Sequence, residues 1–587
     1  ADHHNFITFG YVLGLVSTKD KISILDWGGA FGHYYLYAKR LFPNLQIEYT
    51  CKELPNKKNT GAPRLTKRGT PMKTNIGLLL TKRAHLNPDR EAYVESDGSR
   101  RYSFRDLNDR ANQVANALKA DGLKKGDRVG LLLMNSVEFM ESFFAVAKIG
   151  GVVVPLNWRL VADELEFILK DAGVQTLIFD NEFAETVSEL HHRGDKTNIG
   201  QWIHVVGGAG SACQPFATSY DSYRLSASSA EPNCGAEDDD MLYIMYTSGT
   251  TGLPKGVVHT HTSAMWGVFT IHATADYRDD ERYIACLPMF HVGALTPLTI
   301  NAYHGATTFV MRSFDPVAAW ECVEREKITS GLMVPAMLNF MVQVPNFERY
   351  DWSSLRWFMT GAAPVPVALT QQFQQMGIDI AQVYGLTETC GPACLMDTVN
   401  AVRKPESCGK PFFFTDVMVA DDKGNSLPVG EAGEMMVRGK HIMREYWNRP
   451  DATKETLVNG WLRTGDVGVM DDEGFFAIQD RIKDMIISGG ENVYPAEIEG
   501  VLQSHPGISE AGVIGQKSDK WGESPLAVVV KSDQGLTSDD ILAFCDDKLA
   551  RFKRPKAVEF TDLIPRNPSG KILKRVLREQ YPPQANE

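Results

Sequence analysis

YTSGTTGLPKGVVHTH, Tyr246 to His261, is the stretch that decides how this chain is read. It follows directly on MLYIM, Met241 to Met245, whose continuous hydrophobicity marks a buried strand. Gly249, Gly252 and Gly256 let the backbone approach an anion closely. Thr247, Ser248, Thr250 and Thr251 supply hydroxyl donors, and Lys255 supplies a point charge. An ordinary glycine-serine linker has the same composition but lacks the strand before it, the lysine within it and the apolar run after it. The stretch is built to hold phosphates. It does not fit GxxxxGK[ST], which separates it from Walker-type kinases and ATPases.

Outward from this loop the pattern alternates between helices and apolar strands. Residues 103 to 122, SFRDLNDRANQVANALKADG, carry apolar positions at helical spacing, with Ser103 as N-cap and Gly122 as the stop. DRVGLLLMN, 127 to 135, reads as a strand buried on both faces. The alternation continues past residue 330, which predicts an α/β fold of mainly parallel sheets layered with helices. We expect a large domain over 74–480 and a small, mobile α+β domain over 481–587, whose strands include AGVIG and LAVVV. Residues 1–62 differ in character and read as an appended α/β segment, joined by a polar, basic linker at 63–73 that makes Met72 the natural start of the main protein. Within that segment ISILDWGGAFG, Ile22 to Gly32, resembles the first nucleotide-binding loop of S-adenosylmethionine methyltransferases. One strand and a turn are too little to build that fold, so it reads as a remnant.

Bulk composition narrows the function classes. The net charge of -12 over 587 residues disfavours a grip on nucleic acid through overall charge. Nine scattered cysteines form no framework, which points to a reducing compartment, the cytoplasm. Cys390 and Cys394 lack a second pair at zinc spacing and read as core or loop thiols. No apolar run approaches the roughly 20 residues of a spanning helix, and the first residues, ADHHNF, lack a signal pattern.

The remaining motifs, in chain order, are LPMFHVGAL (287–295), GAAP (361–364), YGLTET (384–389), WLRTGD (461–466), DRIKDMIISGGENVYPAEIE (480–499) and PRNPSGKILK (565–574). Together with the phosphate loop they resemble the adenylate-forming family of acyl-CoA synthetases, nonribosomal adenylation domains and luciferases, over about Met72 to Tyr581. The resemblance implies that Thr247 through Lys255 bind the ATP β and γ phosphates and that His291 lies beside the substrate carboxylate. It also implies that Gly361, Ala362 and Ala363 line the adenine and acyl pocket, with Gly385 leaving room there. Tyr384 then stacks near adenine, Thr387 contacts the α-phosphate and Glu388 holds Mg²⁺, a role that suits a hard oxygen ligand. Asp466 is expected on the ribose hydroxyls with Arg481 assisting. Lys483 falls at the hinge, and Ser488, Gly489 and Gly490 lie on the path of the coenzyme A arm. Lys571 matches the mobile catalytic lysine. A carboxylate attacking a phosphate brings two anions together, so a lysine and Mg²⁺ are what the chemistry asks for.

VPAMLNFM (334–341), EYWNRPDAT (445–453) and ISGGENVYPAEIE (487–499) make the chain similar to bacterial fatty acyl-CoA synthetases, especially mycobacterial long-chain types. The implied substrates are a carboxylic acid, ATP with Mg²⁺, and coenzyme A. Delivery of the adenylate to an amine remains an alternative that these motifs do not separate. A methyltransferase-related or noncatalytic scaffold is the more distant one. Peripheral membrane contact and a homodimer are both compatible with the sequence.

Overall fold

The computed structural model describes residues 14–18, 21–26, 46–51 and 74–582, apart from 208–210, 234, 248–253, 363–364, 489–490, 519–520, 547, 552 and 567–570. The chain divides into two compact units, Ala1–Met72 and Lys73–Glu587. In the first, strand Lys21–Asp26 pairs antiparallel with Gly14–Thr18 and parallel with Gln46–Cys51. The strand half of ISILDWGGAFG is therefore present, and its turn, Trp27 to Gly32, lies outside the described residues.

Two large sheets form the body of the second unit. One has a parallel centre of Gln201–Val205, Val174–Asp180, Arg128–Leu132, Val152–Pro155 and Met241–Thr247. The other runs parallel through Glu91–Glu95, Thr307–Val310, Arg282–Ala285, Ser330–Met333, Trp357–Gly361 and Asp379–Tyr384. Helices cover these sheets. Phe104–Ala120 starts where expected, with the Ser103 hydroxyl accepting from the Asp106 amide and Asp106 reaching back to the Ser103 amide. Val137–Ile149 is buried along its whole length, consistent with a helix packed between layers.

The parallel expectation holds for these centres but not beyond them. Met241–Thr247 turns directly into Lys255–Thr260 as an antiparallel hairpin, so the phosphate loop is the tip of a hairpin rather than a strand-to-helix connection. A third sheet, built from Asp416–Ala420, Gly433–Arg438, Leu457–Val458, Trp461–Met470 and Phe476–Arg481, is antiparallel throughout. A further sheet draws only on residues from Ile486 onward and encloses a core that includes Val493, Ile498, Leu502, Val513, Val529 and Ile541. AGVIG and LAVVV are its two long strands, Ile508–Ser518 and Gly522–Lys531, paired antiparallel. Among the described residues no helix is long and apolar enough to cross a membrane.

Candidate active site

The carboxyl ends of parallel strands are where such sheets present ligand-binding groups. Thr247 ends Met241–Thr247, Gly361 ends Trp357–Gly361 and Tyr384 ends Asp379–Tyr384. At the mouth of the hairpin Thr247 faces Lys255 across the ladder, its hydroxyl 3.5 Å from the Lys255 carbonyl. Ser248, Gly249, Thr250, Thr251 and Gly252 lie outside the described residues, as do Ala363, Gly489 and Gly490. The base of the loop is clamped from below: Tyr246 donates a 2.6 Å hydrogen bond to Asp171, which also pairs with Arg449 at 2.9 Å.

Two glycines in the motifs are sterically required. A Cβ on Gly361 would stand 2.4 Å from the Val383 carbonyl oxygen, and one on Gly385 would stand 1.4 Å from that of Gly391. Ala362 carries φ +71, a strained setting for a residue with a side chain, of the kind that clusters at functional turns.

Thr387, Glu388 and Thr389 form a single tight turn whose backbone is gripped by two buried histidines. His259 Nε2 donates to the Thr387 carbonyl at 2.7 Å, and His441 Nδ1 donates to the Thr389 carbonyl at 2.9 Å. Burial pushes both imidazoles down to about 4, so they act as neutral, oriented props. Glu388 is thereby held in place. One of its carboxylate oxygens accepts a 2.8 Å hydrogen bond from the Tyr446 hydroxyl, and the other accepts none among the described residues. A rigid carboxylate with an uncommitted oxygen fits a Mg²⁺ ion that keeps phosphates and waters as its other ligands.

Tyr446 itself is a residue that the sequence motifs did not single out. Its strand, Glu445–Tyr446, pairs with Lys255–Thr260, and the Lys255 ammonium lies over its ring, 5.2 Å from the centroid. One tyrosine therefore connects the lysine of the phosphate loop to the metal-ligand candidate. EYWNRPDAT contained it, but the signal there was only an aromatic with a hydroxyl.

Asp466 and Arg481 are register partners on antiparallel strands and pair at 2.5 Å. The other Asp466 oxygen accepts a 2.6 Å hydrogen bond from Tyr384. These three residues make one buried polar unit at the junction of the second and third sheets. Lys483 lies two residues after Arg481, and Asp484 beside it binds Arg578 of the final helix at 2.9 Å. Ser488 is buried at the end of Ile486–Ser488.

Lys571 completes the arrangement. Burial and the charge of Arg481 push its ammonium down to about 8, while Asp466 and Glu388 oppose them and Lys483 adds to the lowering. His291 feels the same lysine. Burial, then Arg159 and Lys571, push its imidazole down to about 4, and its Nε2 is buried without a hydrogen-bond partner among the described residues. Residues from four distant motifs thus lie within electrostatic reach of Lys571: His291, Glu388, Asp466 and Arg481 all share charge interactions with it. Such a set can bind a polyanion and neutralise charge that builds on a phosphate.

Comparison with known proteins shows the family. The family model described as "AMP-binding enzyme" matches residues 80–447, and "AMP-binding enzyme C-terminal domain" matches 497–571. The chain is 45% identical over 508 residues to the long-chain-fatty-acid–CoA ligase FadD13 of Mycobacterium tuberculosis, covering 86% of this chain and 98% of the relative. A feruloyl-CoA synthase of an Amycolatopsis species is 38% identical, over 86% of this chain and 99% of its own length. The solved structure of the Bacillus subtilis o-succinylbenzoate coenzyme A synthetase in complex with ATP and magnesium ion superposes with a TM-score of 0.76 at 32% identity, covering 85% of this chain and 99% of that one.

Proposed function

This chain belongs to the AMP-binding enzyme family, and from that premise we propose how its residues divide the work. It is an AMP-forming acid–thiol ligase that activates a carboxylic acid with ATP and passes the acyl group to coenzyme A. In the first step a carboxylate oxygen attacks the α-phosphorus of ATP, the bond to the β-phosphate oxygen breaks, and pyrophosphate leaves. In the second, the thiol sulfur attacks the acyl carbon and AMP departs.

In our reading Thr247 to Lys255 hold the β and γ phosphates, Asp466 and Arg481 hold the ribose, and Tyr384 with Gly361 to Ala363 frames the adenine. Thr387 contacts the α-phosphate. Lys571 neutralises the charge that builds between the two anions, and positioning by the surrounding groups supplies much of the remaining rate. Mg²⁺ held by Glu388 would screen the phosphate oxygens from one another. Domain 481–587 then swings about Lys483, withdrawing Lys571 and bringing Ser488, Gly489 and Gly490 to the pantetheine arm. The observation that supports this reading above others is that Lys571, remote in sequence, feels the charges of Glu388 and Asp466.

A fatty acid is the proposed substrate class and coenzyme A rather than an amine the acceptor, in line with the names that the relatives carry; the cytoplasm is the proposed location, on the scattered cysteines alone. Pyrophosphate release over a panel of acids, with coenzyme A or amino acids added and products identified, tests both the substrate class and the acceptor. Thioester formation is expected; acyl-amide products, or no acid-dependent pyrophosphate, would overturn it.

A further inference from the structure

Strand Phe476–Arg481 is the last element before the proposed hinge at Lys483, and successive side chains at its end point to opposite faces. Arg481 turns to Asp466. Asp480 turns the other way and is buried, only 7% exposed. Its Oδ2 accepts a 2.8 Å hydrogen bond from the Ala496 amide. Its Oδ1 accepts one of 2.7 Å from the Arg481 amide and lies 3.9 Å from the Lys574 ammonium, which also pairs with Glu499 at 3.1 Å. Apart from the neighbouring amide, the groups that Asp480 meets belong to the far side of the hinge.

Each contact answers a local need. Helix Pro495–Gln503 follows Tyr494, whose side chain caps none of the helix's first amides. Asp480 supplies that cap from across the hinge, and a negative charge at a helix start is favourable in itself. Lys574 opens helix Lys574–Gln580, three residues after Lys571. Burial raises the Asp480 and Glu499 carboxyl groups alike, and in each case the Lys574 ammonium is what opposes it most. The hinge sorts these bonds into two kinds. Lys574 with Glu499, and Arg578 with Asp484, lie wholly after Lys483 and would survive a rotation about it. Asp480 is fixed in the third sheet, where its strand pairs with Trp461–Met470, while Ala496 and Lys574 would travel. Rotation must break both of its contacts with them.

We infer that Asp480 is a positioning residue of the first half-reaction: by gripping the start of helix Pro495–Gln503 and Lys574, it holds the small domain where Lys571 serves adenylation, and it has no part in thioester formation. The inference rests on the ligase reading above and its hinge at Lys483, and it places a clamp on the face of the strand turned away from Asp466. Asp480 acts only through the segment that carries Lys571. Two bonds made by one buried carboxylate are enough to bias a two-state hinge, because a ligand or contact present in one state alone shifts the populations by its full value.

The test separates the half-reactions in the full-length enzyme. Single-turnover pyrophosphate release from ATP and an accepted acid reads the first, thioester formation from supplied acyl-adenylate reads the second, and a fluorescence pair across the hinge reads the docked fraction. Asp480→Ala should slow adenylation by at least about tenfold and lower the docked fraction, with thioester formation kept at the wild-type rate. That retained step also shows that the variant has folded. Asp480→Asn keeps an oxygen for the Ala496 amide but gives up the attraction for Lys574, so its loss should be smaller. Lys574→Met should slow the same step. The double variant Asp480→Ala with Lys574→Met should lose less than the product of the two single losses, because both residues act through one contact. Equal slowing of both half-reactions, an unchanged docked fraction, or single losses that simply multiply would overturn the inference and leave the ligase reading standing. A wild type that releases no pyrophosphate with any acid would overturn the ligase reading and this inference with it.

Discussion

Lys571 gives the sharpest prediction, because its surroundings set both a pH and a direction. Its ammonium titrates at about 8 rather than 10.5 because it is buried beside Arg481 and Lys483, with Asp466 and Glu388 only partly offsetting them. That difference corresponds to about 3 kcal/mol, or roughly 300-fold, against holding the charged lysine in place without nucleotide. The sign follows from linkage. A lysine whose docked pKa is depressed gives up its proton in the docked arrangement between pH 8 and 10.5 while a solvated lysine keeps it, so docking is penalised fully below pH 8 and relieved as pH rises. Adenylation nevertheless needs the charged form. The kcat/KM for ATP-dependent pyrophosphate release, which reports the free enzyme, should therefore fall with unit slope above pH 8. Its kcat should fall only at higher pH, because bound phosphates favour the ammonium. Thioester formation from supplied acyl-adenylate should show no fall there and should instead rise as the thiol ionises near about 8.5. Lys571→Ala is expected to lose adenylation by about 10² to 10³ while sparing the second step, and Lys571→Arg should keep a reduced rate without the alkaline fall. Stopped-flow pyrophosphate release and a thioester assay over pH 6 to 10 read both steps, with about that range spanning the relevant groups. The same alkaline fall in both half-reactions, or its persistence in Lys571→Arg, would refute the proposed role.

Three further outcomes follow from the geometry. Tyr446→Phe should fold normally yet raise the Mg²⁺ concentration needed for half-maximal adenylation by about tenfold to a hundredfold, the value of one hydrogen bond to a charged group, with the acid KM unchanged. Asp466→Asn removes the charge that Arg481 and Tyr384 share, so ATP affinity should drop at least about tenfold in calorimetry and thermal stability should fall too, since a buried pair has lost one partner. His259, His261, His291 and His441 are each pushed by burial to about 4. The unfolded chain takes up protons near 6.5 that the folded one refuses, so stability should decline as pH falls from 6.5 to 4, visible as a steadily lower melting temperature.

What the sequence disclosed and what it withheld divide along a physical line. Residues proposed to touch the nucleotide come in local constellations, as in YGLTET and WLRTGD, where neighbours in the chain lie close together. Those motifs located Glu388, Asp466 and Lys571, and the structure brings them together. Residues that orient these groups are recruited by topology instead. Tyr446 reaches Glu388 across 58 positions, and His259 reaches Thr387 across 128. No periodicity or turn pattern reports such a pairing, because it depends on which strand lies beside the hairpin. The antiparallel third sheet was hidden for a related reason: Trp461–Met470 alternates between buried and half-exposed positions, and its partners are fixed only by register.

The balance of charge around Lys571 also bears on how chemistry and movement are coupled. Burial and the like charges of Arg481 and Lys483 disfavour the Lys571 ammonium, while Asp466 and Glu388 attract it and Asp484 lies beside Arg481 and Lys483. ATP reverses that balance with its phosphates and holds the lysine of the small domain against the large one. Adenylate formation then releases pyrophosphate and removes most of the negative charge that favoured the docked arrangement. The repulsion between Lys571 and its two cationic neighbours returns at the moment the lysine has finished its step. The proposed rotation about Lys483 would then need no separate trigger, because the departing pyrophosphate withdraws the counter-charge. Added pyrophosphate should consequently hold the docked arrangement and slow thioester formation, and neutralising Lys483 with Lys483→Met should slow undocking as read by a fluorescence pair across the hinge. If Lys483→Met undocks as fast as the wild type, repulsion at this cluster is not what releases the small domain.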